Sequence, residues 1–571
     1  MDDRGASPVV TGSRTGWRAT DLGWTVVFAT AVLLPVNATA TWLNATRAAT
    51  RADVVTGVWI LKLSALMLAA TGLVLWRLRV TTEASPDRQE APRIDARSLI
   101  LLSAVLLIGL AVRLYRLDAE LWLDEIYLRT LYAPLEFRQL ISTYDSQNHQ
   151  PLYSILARIS FLAAGGTDWS LRIPAVLFGV GSLAAVWWFG RRITSSTEAM
   201  LASLLLAVSY HSVWFSQNAR GYTLMLFLAV LATGAFLRML EGAGREPRLA
   251  WGYALAMSLA TYTHLTASLI AVGHALTLLL TTSWMSPAAR RRASWPVIAL
   301  ALSALLTVCF YAPMLPQVLR LVATPTMEGL EVEWTGARWM FSEGVRVLAQ
   351  GVPGGLVTVF VALGVLVVGV ASYWRQSRAV TLLMYLPVGI TFVAVVAARH
   401  NLWPRFFFFA AGFLVLTALR GGFVLVRWLI RWHPERIAVT GAVAMAALSL
   451  MTVPAAWQPK QQFRAAYEFV EQQRRPGDLV VALDAAAEVY QLRGWTSNWR
   501  FTNNLAMLDE AERSAGRTWV VFTLPVRIRA VTPELFQHLT APRYEVVRIF
   551  PATVGGGDIH ILRHDSTIGH D

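Results

Sequence analysis

The stretch that decides the fold reads SLILLSAVLLIGLAVRLYRL over residues 98–117 and continues, after three residues, with LWLDEIYL over residues 121–128. The first part is long and apolar enough to cross the hydrocarbon core of a bilayer as a helix, which takes about 20 residues. The second part places two adjacent carboxylates, Asp124 and Glu125, in an apolar and aromatic setting. Carboxylates are costly to hold near lipid unless they meet a cation, a hydroxyl group or each other. The pair is therefore the first candidate for chemistry.

The composition of the whole chain fits the same setting. Of its 571 residues, 55% are hydrophobic and only 15% are charged, which is typical of a polytopic α-helical membrane protein. The formal charge of +14 does not indicate nucleic acid as a partner, because the arginines fall mainly in short segments between apolar runs. Cys309 is the single cysteine, so no disulfide and no cysteine metal site forms within one chain.

The number of membrane-spanning helices follows from apolar runs of roughly 17 to 25 residues. The first run is too long for a signal-peptide core, so we expect it to stay as an anchor. The seventh and eighth runs could instead form one tilted helix with a re-entrant piece. The sequence predicts about thirteen spans, at 23–43, 54–76, 98–117, 171–190, 198–215, 221–238, 250–265, 266–282, 295–313, 353–374, 379–398, 405–421 and 437–455.

The arginines predict which loops face the cytoplasm. Positively charged residues concentrate in cytoplasmic loops, and the arginine pairs occupy alternate loops: Arg77 and Arg79, Arg191 and Arg192, Arg245 and Arg248, Arg290 to Arg292, Arg375 and Arg378, and Arg427 and Arg431. The opposite loops and the tail after residue 456 then lie outside. We therefore predict an integral protein of the plasma (inner) membrane with its active site on the extracytoplasmic side.

Two outer loops stand out by length. Loop 118–170 has apolar residues at helical spacing over 124–142 and 151–163, which predicts helices lying in the membrane interface. Loop 314–352 combines prolines with Glu328, Glu331, Glu333, Trp334 and Trp339, so we expect a mobile cover over the site. After residue 456 a helical stretch and the apolar segments 479–483, 518–523, 544–550 and 558–563 predict a small C-terminal α/β domain.

Several short pieces, in this order, carry a family resemblance. They are RLYRL at 113–117 with LWLDE at 121–125, NHQPLY at 148–153, LRIP at 171–174, SQNARGY at 216–222, YTH at 262–264, and PR at 404–405. On these pieces residues 98–420 resemble the GT-C glycosyltransferases of the protein O-mannosyltransferase and lipid A aminoarabinose transferase type. One piece departs from the family, which usually reads His-Pro-Pro-Leu where this chain has Gln150 after His149.

The resemblance implies an inverting glycosyltransferase. Such an enzyme moves a sugar from a polyprenyl-phosphate donor to an acceptor hydroxyl, on a lipid, glycan or protein, outside the membrane and without a nucleotide donor. On that basis Asp124 is the expected general base, and Glu125 orients the acceptor or nearby arginines. An alternative for the pair is a helix N-terminal cap.

The donor phosphate needs cations, and Arg220 and Arg405 are the expected clamps because guanidinium binds phosphate oxygens in a bidentate fork. Tyr222 is expected beside them. Asp145 and His149, about one helical turn apart, and His264 are candidates for holding the acceptor or a divalent metal, although no spacing requires a metal. Snorkelling at helix ends and plain interfacial hydrogen bonding are the alternatives for these residues.

Two other functions remain open from the sequence. The many spans suit a lipid or sugar transporter or flippase, although we find no inverted repeat. A noncatalytic assembly factor that scaffolds a partner is the other. We divide the chain into an N-terminal tail and hairpin at 1–97, a catalytic membrane domain at 98–455 and an outer domain at 456–571.

Overall fold

The computed structural model of the chain is a helical bundle followed by a small sheet domain. It describes residues 16–43, 49–80, 94–241, 247–282, 294–324, 337–352, 354–401, 403–495 and 498–565. The predicted class, a polytopic helical membrane protein with a C-terminal α/β domain, is confirmed.

The membrane-crossing helices fall short of the predicted number. Within the described residues nine are long and apolar enough to cross: Arg51–Leu75, Ala96–Leu114, Asp168–Ile193, Tyr222–Leu240, Leu265–Thr282, Ser294–Ala323, Gly355–Gln376, Arg378–Ala397 and Pro404–Leu429. Two bent pairs raise the number to eleven if each is one span: Thr25–Leu33 with Val36–Leu43, bent by 95°, and Ser196–Ala207 with Tyr210–Ser216, bent by 60°.

The count of thirteen is therefore not confirmed, and the shortfall has a physical reason. The two other predicted runs form the helices Pro247–Thr263 and Pro434–Leu450, each of 17 residues. At 1.5 Å per residue such a helix is about 25 Å long, less than the roughly 30 Å of the hydrocarbon core. The seventh and eighth predicted runs are separate helices and not one tilted helix. Extended backbone at His264 separates Pro247–Thr263 from the helices Leu265–Ala267 and Ser268–Thr282.

The two loops that the arginine pattern predicts to lie outside, called the outer loops for that prediction, as the C-terminal domain is called the outer domain, contain short helices. In the first loop these are Leu123–Tyr127, the π-helix Leu128–Tyr132, Phe137–Leu140, Pro151–Ala163 and the 3₁₀ helix Asp168–Arg172. The expected continuous helix over 124–142 is thus broken, and Pro134 lies in the turn between its parts. The second loop contains Leu315–Ala323 and Ala337–Gln350. Glu328, Glu331, Glu333 and Trp334 lie outside the described residues, whereas Trp339 packs edge-on against Trp403.

The outer domain contains a five-stranded sheet. Its strands are β1 (Leu479–Leu483), β2 (Arg500–Thr502), β3 (Arg517–Phe522), β4 (Glu545–Phe550) and β5 (Ile559–Asp565), in the order β2-β1-β3-β5-β4. β1 pairs in parallel with β2 and β3, and β5 is antiparallel to β3 and β4. The short strand β2 was missed from the sequence. The helices around the sheet are Phe463–Gln473, Asp484–Arg493, Leu505–Ser514, Pro525–Val531 and Pro533–Leu539.

The outer domain shares a hydrophobic core with the first outer loop. Leu121, Ile126 and Tyr132 of the loop are buried in one cluster with Phe463 and Trp519 of the domain. Burial of such side chains stabilises the contact by roughly 1.5–3 kcal/mol each. The loop that carries the two carboxylates is therefore held from both sides, by the membrane helices and by the outer sheet.

Glycine allows two membrane helices to approach closely. A Cβ at Gly421 would lie 2.0 Å from the Val365 carbonyl oxygen, and one at Gly369 would lie 2.1 Å from the Thr417 carbonyl oxygen. The backbones of Gly355–Gln376 and Ala411–Leu429 are thus in direct contact, as small residues permit in membrane bundles.

We predict that Gly421→Ala destabilises the protein by about 1–3 kcal/mol, because the added methyl group has no space. Gly422→Ala is the matched control, since a Cβ there meets nothing within 4 Å. Thermal unfolding in detergent measures both. Equal midpoints for the two variants would contradict the close approach.

Candidate active site

The helix Leu123–Tyr127, called here the acidic helix, presents the two carboxylates in different directions. The Glu125 carboxylate accepts a hydrogen bond from the Trp122 backbone N–H over 3.3 Å, as the acid of a capping box does. A π-helix follows at once. Such local widening of the helix is frequent at functional sites.

Glu125 forms a fully buried ion pair with Arg172. The Nε and Nη2 atoms of Arg172 donate to the two carboxylate oxygens over 2.8 and 2.6 Å, and both side chains are at most 1% exposed. The Ala219 backbone N–H also donates to Glu125, over 2.6 Å. Burial alone would raise the pKa of Glu125, but the positive charge and hydrogen bonds of Arg172 outweigh it, so the pKa lies below its usual value. The predicted contact of Glu125 with a nearby arginine is thus made by Arg172.

Arg172 is a site residue that sequence reasoning missed. Its guanidinium also donates to the carbonyl oxygens of Leu117 and Ala119, each over 2.7 Å. It therefore ties together the end of the membrane helix, the acidic helix and its own helix. The sequence did contain one sign of its role. Arg172 lies in the LRIP piece at 171–174, where an arginine in an apolar run needs a polar partner inside the protein.

Asp124 lies between the two predicted phosphate clamps. Its Oδ2 atom is 3.9 Å from Arg220 Nε and 3.6 Å from Arg405 Nη1. The carboxylate is buried, yet Oδ2 has no hydrogen-bond partner within the described residues. Three residues that are far apart in the sequence are thus brought together as predicted, but at distances that leave the oxygen open to a further donor.

The turn that carries Arg220 is anchored by side chains from other segments. Arg220 Nη1 donates to the Asn148 carbonyl oxygen over 2.6 Å, and the Gly221 N–H donates to Gln150 Oε1 over 2.7 Å. A Cβ at Gly221 would lie 2.3 Å from Thr263 Cγ2, so only glycine fits. Gln150, where the chain departs from the family pattern, thus supplies a hydrogen bond that proline cannot make.

Arg405 approaches the site from the head of a late membrane helix. Pro404 starts the 3₁₀ helix Pro404–Ala410, and the Arg405 guanidinium lies 4.7 Å from the ring centre of Trp403 and 6.0 Å from that of Trp122. The two indole rings steer the charge by cation–π attraction. Arg405 keeps 23% of its side chain exposed, so it is the more accessible of the two clamps.

Tyr222 and His264 lie next to the arginines. Their ring centres are 5.9 Å apart, and the His264 ring is 5.0 Å from Phe406, the neighbour of Arg405. His264 Nδ1 is within 2.8 Å of Thr266 Oγ1. Both residues therefore belong to the same cluster as Asp124.

Asp145 and His149 do not share a helix, because the chain between them is irregular. Instead both contact Tyr132: its hydroxyl donates to Asp145 over 2.7 Å, and its ring stacks on His149 at 4.3 Å. Burial lowers the pKa of His149 to about 4, so it is neutral near pH 7. Its Nδ1 donates to the Thr143 carbonyl oxygen, and its Nε2 is buried without a partner in the described part of the chain.

Another group of possible metal ligands lies in the outer domain. Within the described residues, Asp509, Glu512 and His538 of the outer domain bring donor atoms within 4.8 Å of one another. The Arg543 guanidinium contacts His538 there, so this group has a cation already. At the membrane site, His149 Nε2 and the Asp145 carboxylate are chemically suited to a divalent ion, but among the described residues they do not form a group of three metal ligands.

Lys460 is a second residue missed from the sequence. It is buried at the start of the outer domain, where its Nζ donates to the Gln217 carbonyl oxygen over 2.7 Å and lies 5.2 Å from the ring centre of Trp214. Burial, with the charge of Arg172, lowers the pKa of Lys460 to about 7. A single lysine after the last apolar run gave no sign of this contact.

One family model matches a segment of the chain. Residues 148–311 match the profile of the family described as dolichyl-phosphate-mannose-protein mannosyltransferase. The predicted family resemblance is confirmed over this segment. It contains Arg220, Tyr222 and His264, whereas Asp124 and Arg405 lie outside it. No curated protein sequence matches the chain.

Solved structures show distant similarity. ArnT from Cupriavidus metallidurans bound to undecaprenyl phosphate is 11% identical, with a TM-score of 0.48, over 84% of this chain and 100% of that one. The oligosaccharyltransferase AglB from Archaeoglobus fulgidus, in complex with an inhibitory peptide and a dolichol-phosphate, is 12% identical, with a TM-score of 0.48, over 83% of this chain and 75% of that one. Arabinosyltransferase EmbB from Mycobacterium smegmatis is 13% identical, with a TM-score of 0.39, over 77% of this chain and 47% of that one.

We predict that Glu125→Gln destabilises the protein by about 3–5 kcal/mol, because it leaves the Arg172 charge buried and unpaired. The double variant with Arg172→Met should recover part of that loss. Asp168→Asn is the control, since Asp168 pairs with Arg129 at a half-exposed position. Thermal unfolding is the readout, and a double variant no more stable than Glu125→Gln would argue against the pair.

We predict that stability increases with pH through Lys460. The unfolded chain keeps this proton up to the usual pKa of 10.5, whereas the folded protein loses it near pH 7. Above pH 7 the unfolded chain binds more protons, so the free energy of unfolding rises by at most about 1.4 kcal/mol per pH unit. Unfolding midpoints at pH 7 and pH 9 measure this. Lys460→Met should show a smaller increase; an identical pH dependence would exclude Lys460.

Proposed function

We propose that this protein is an inverting glycosyltransferase of the extracytoplasmic membrane face. It moves a sugar from a polyprenyl-phosphate donor to an acceptor hydroxyl. The observation that carries the proposal is the position of Asp124 Oδ2, 3.9 Å from Arg220 and 3.6 Å from Arg405. The family matched by residues 148–311 is named for a dolichyl-phosphate-linked sugar, which supports the donor class.

The charges of the three residues suit such a donor. One carboxylate and two guanidinium groups carry a net charge of +1, which complements the single negative charge of a phosphodiester. Guanidinium groups bind phosphate oxygens through parallel hydrogen bonds. When Arg220 and Arg405 turn to the phosphate, Asp124 loses its partial ion pairs and becomes free to accept a proton.

The proposed reaction is a single displacement. The acceptor oxygen forms a bond with the anomeric carbon while its proton passes to Asp124 Oδ2. The bond between the anomeric carbon and the phosphate oxygen breaks, and its electron pair leaves with the polyprenyl phosphate. The arginines stabilise the added negative charge, which is the main electrostatic contribution such sites make. General-base catalysis by Asp124 contributes about 10²–10⁴-fold.

The remaining predicted residues take supporting roles. Glu125 is a positioning residue, since its contacts with Arg172 and Ala219 fix the acidic helix against the turn that carries Arg220. Tyr222 and His264 flank the arginines and shape the space for the sugar. Neutral His149 offers a lone pair at Nε2 to an acceptor hydroxyl. A divalent ion at His149 and Asp145 would polarise that hydroxyl.

We predict that Asp124→Asn lowers the turnover number at least 10²-fold, because the amide cannot take the acceptor proton. Donor affinity should stay within a few fold of wild type. Transfer of label from a radiolabelled polyprenyl-phosphate sugar to membrane acceptors measures turnover, and donor binding is titrated separately. Asp118→Asn, in the same loop but exposed, should behave as wild type.

Arg405→Ala should affect donor binding, which Asp124→Asn leaves nearly unchanged, in the same experiment. It should weaken donor binding more than acceptor binding, since it removes one of two phosphate clamps. Near-normal turnover in Asp124→Asn would remove Asp124 from the mechanism. Equal weakening of donor and acceptor in Arg405→Ala would indicate a folding defect.

A further inference from the structure

The parallel strands of the outer sheet have a topological switch point at their carboxyl ends. From β1 the chain moves outward to β2 and then returns past β1 to β3. The helix Asp484–Arg493 packs on one face of the sheet and Leu505–Ser514 on the other, since their buried residues fall in two separate clusters. The gap between the carboxyl ends of β1 and β3 is therefore the point at which ligands bind in open α/β sheets.

Charged residues occupy that point. Asp484 directly follows β1, and Arg527 lies in the helix after β3; their side chains form an ion pair of 2.9 Å. Asp484 and Leu524 both have left-handed backbone, with φ of 48° and 53°. Residues other than glycine rarely hold this conformation, and such strained positions cluster at functional sites. Parts of both side chains stay exposed, 12% for Asp484 and 28% for Arg527, although the paired Oδ2 and Nε atoms are themselves buried.

This end of the sheet meets the acidic helix. The Tyr127 hydroxyl donates to the carboxylate of Glu488, one turn after Asp484, and Tyr127 lies three residues after Asp124 on the same helix, hence near the same face. The Tyr127 phenol interacts electrostatically with both Arg527 and Asp124. The carboxyl end of the sheet is thus in contact with the acidic helix, which carries the proposed base.

Gln461 holds the two parts in register. Its Oε1 accepts from the Leu123 N–H over 3.0 Å, and its Nε2 donates to Thr523 Oγ1 over 3.3 Å. Leu123 precedes Asp124, and Thr523 follows β3. The Gln461 side chain therefore connects the acidic helix to the carboxyl end of the sheet.

We propose that Asp484, Glu488, Arg527 and Tyr127 form the acceptor subsite, and that the acceptor is a neutral, hydroxyl-rich carbohydrate. This inference rests on the proposed function for the reaction itself. Each carbohydrate hydroxyl both donates and accepts, and the subsite offers carboxylates that accept and a guanidinium that donates. Its net charge of −1, from two carboxylates and one guanidinium, repels phosphorylated or acidic acceptors. Extended peptides bind along open sheet edges, here β2 and β4, and not at strand ends.

The test uses the full-length protein in lipid nanodiscs with two readouts. Equilibrium binding of neutral manno-, gluco-, galacto- and arabino-oligosaccharides tests the subsite without turnover. Transfer from a panel of radiolabelled polyprenyl-phosphate sugars tests the reaction, with the same oligosaccharides, a phosphorylated oligosaccharide and a serine/threonine peptide as acceptors. We expect at least one neutral oligosaccharide to bind and to be labelled in preference to the other two probes.

Variants then locate the binding. Asp484→Asn keeps a residue type that tolerates left-handed backbone. Asp484→Asn and Arg527→Met, made as separate single variants, should each raise the acceptor Kd and KM about tenfold or more and leave the donor KM unchanged. Arg517→Met is the matched control, because Arg517 forms a similar ion pair with Asp565 at the opposite end of β3.

The outcomes separate the two proposals. The subsite is overturned if no neutral oligosaccharide binds, if the peptide or the phosphorylated probe is preferred, or if Arg517→Met shifts acceptor binding as much as Arg527→Met does. Oligosaccharide binding that depends on Asp484 and Arg527, without label transfer by the wild type to any acceptor, retains the subsite and overturns the proposed reaction instead.

Discussion

The buried ion pair between Glu125 and Arg172 is the constraint on which the site depends. Two charges removed from water persist only when their mutual geometry and additional hydrogen bonds offset desolvation. Here Arg172 also binds the carbonyl oxygens at the end of the membrane helix, and Glu125 also binds the Ala219 N–H. The pair therefore fixes where the acidic helix lies relative to the turn carrying Arg220. The position of Asp124 follows, although its carboxylate makes only the two long ion pairs, with Arg220 and Arg405, among the described residues.

The segments that flank the membrane domain hold the first outer loop in place. On one side the outer domain contacts it through Gln461 and Tyr127. On the other side, Ser142 donates to the Leu43 carbonyl oxygen of the N-terminal hairpin. Gln317, within the membrane domain itself, also bonds to Ser142 and Tyr144. Because irregular backbone near a bilayer must have every polar group satisfied, a loop of this length needs such neighbours. This gives the hairpin a structural purpose that its sequence did not indicate.

Much of the site was predictable because its motifs are local. Asp124, Arg220 and Arg405 were selected as single residues with chemistry that a lipid-phosphate donor needs, and the structure brings them together. The separate directions of Asp124 and Glu125 were not predictable, since adjacent residues on a helix point about 100° apart and only packing shows which direction is buried. Arg172 and Lys460 were missed because a cation in an apolar sequence looks the same whether it meets lipid headgroups or a buried carbonyl oxygen. The expected helical relation of Asp145 and His149 was wrong, since the chain there follows contacts with Tyr132.

The sequence by itself determined the class of the protein, the approximate membrane segments and the small α/β domain. These features depend on which stretches of the chain are apolar enough to leave water for the bilayer or a protein core, and local sequence shows that directly. It did not decide the number of spans, since a 17-residue apolar helix is marginal against the thickness of the bilayer. Only the tertiary structure decided that Glu125 is held in a short buried ion pair while Asp124 Oδ2 lacks a hydrogen bond within the described residues. It also decided that the outer domain contacts the acidic helix through Gln461 and Glu488. Those properties depend on contacts between residues hundreds of positions apart, such as Leu123 with Gln461, and no local pattern encodes them.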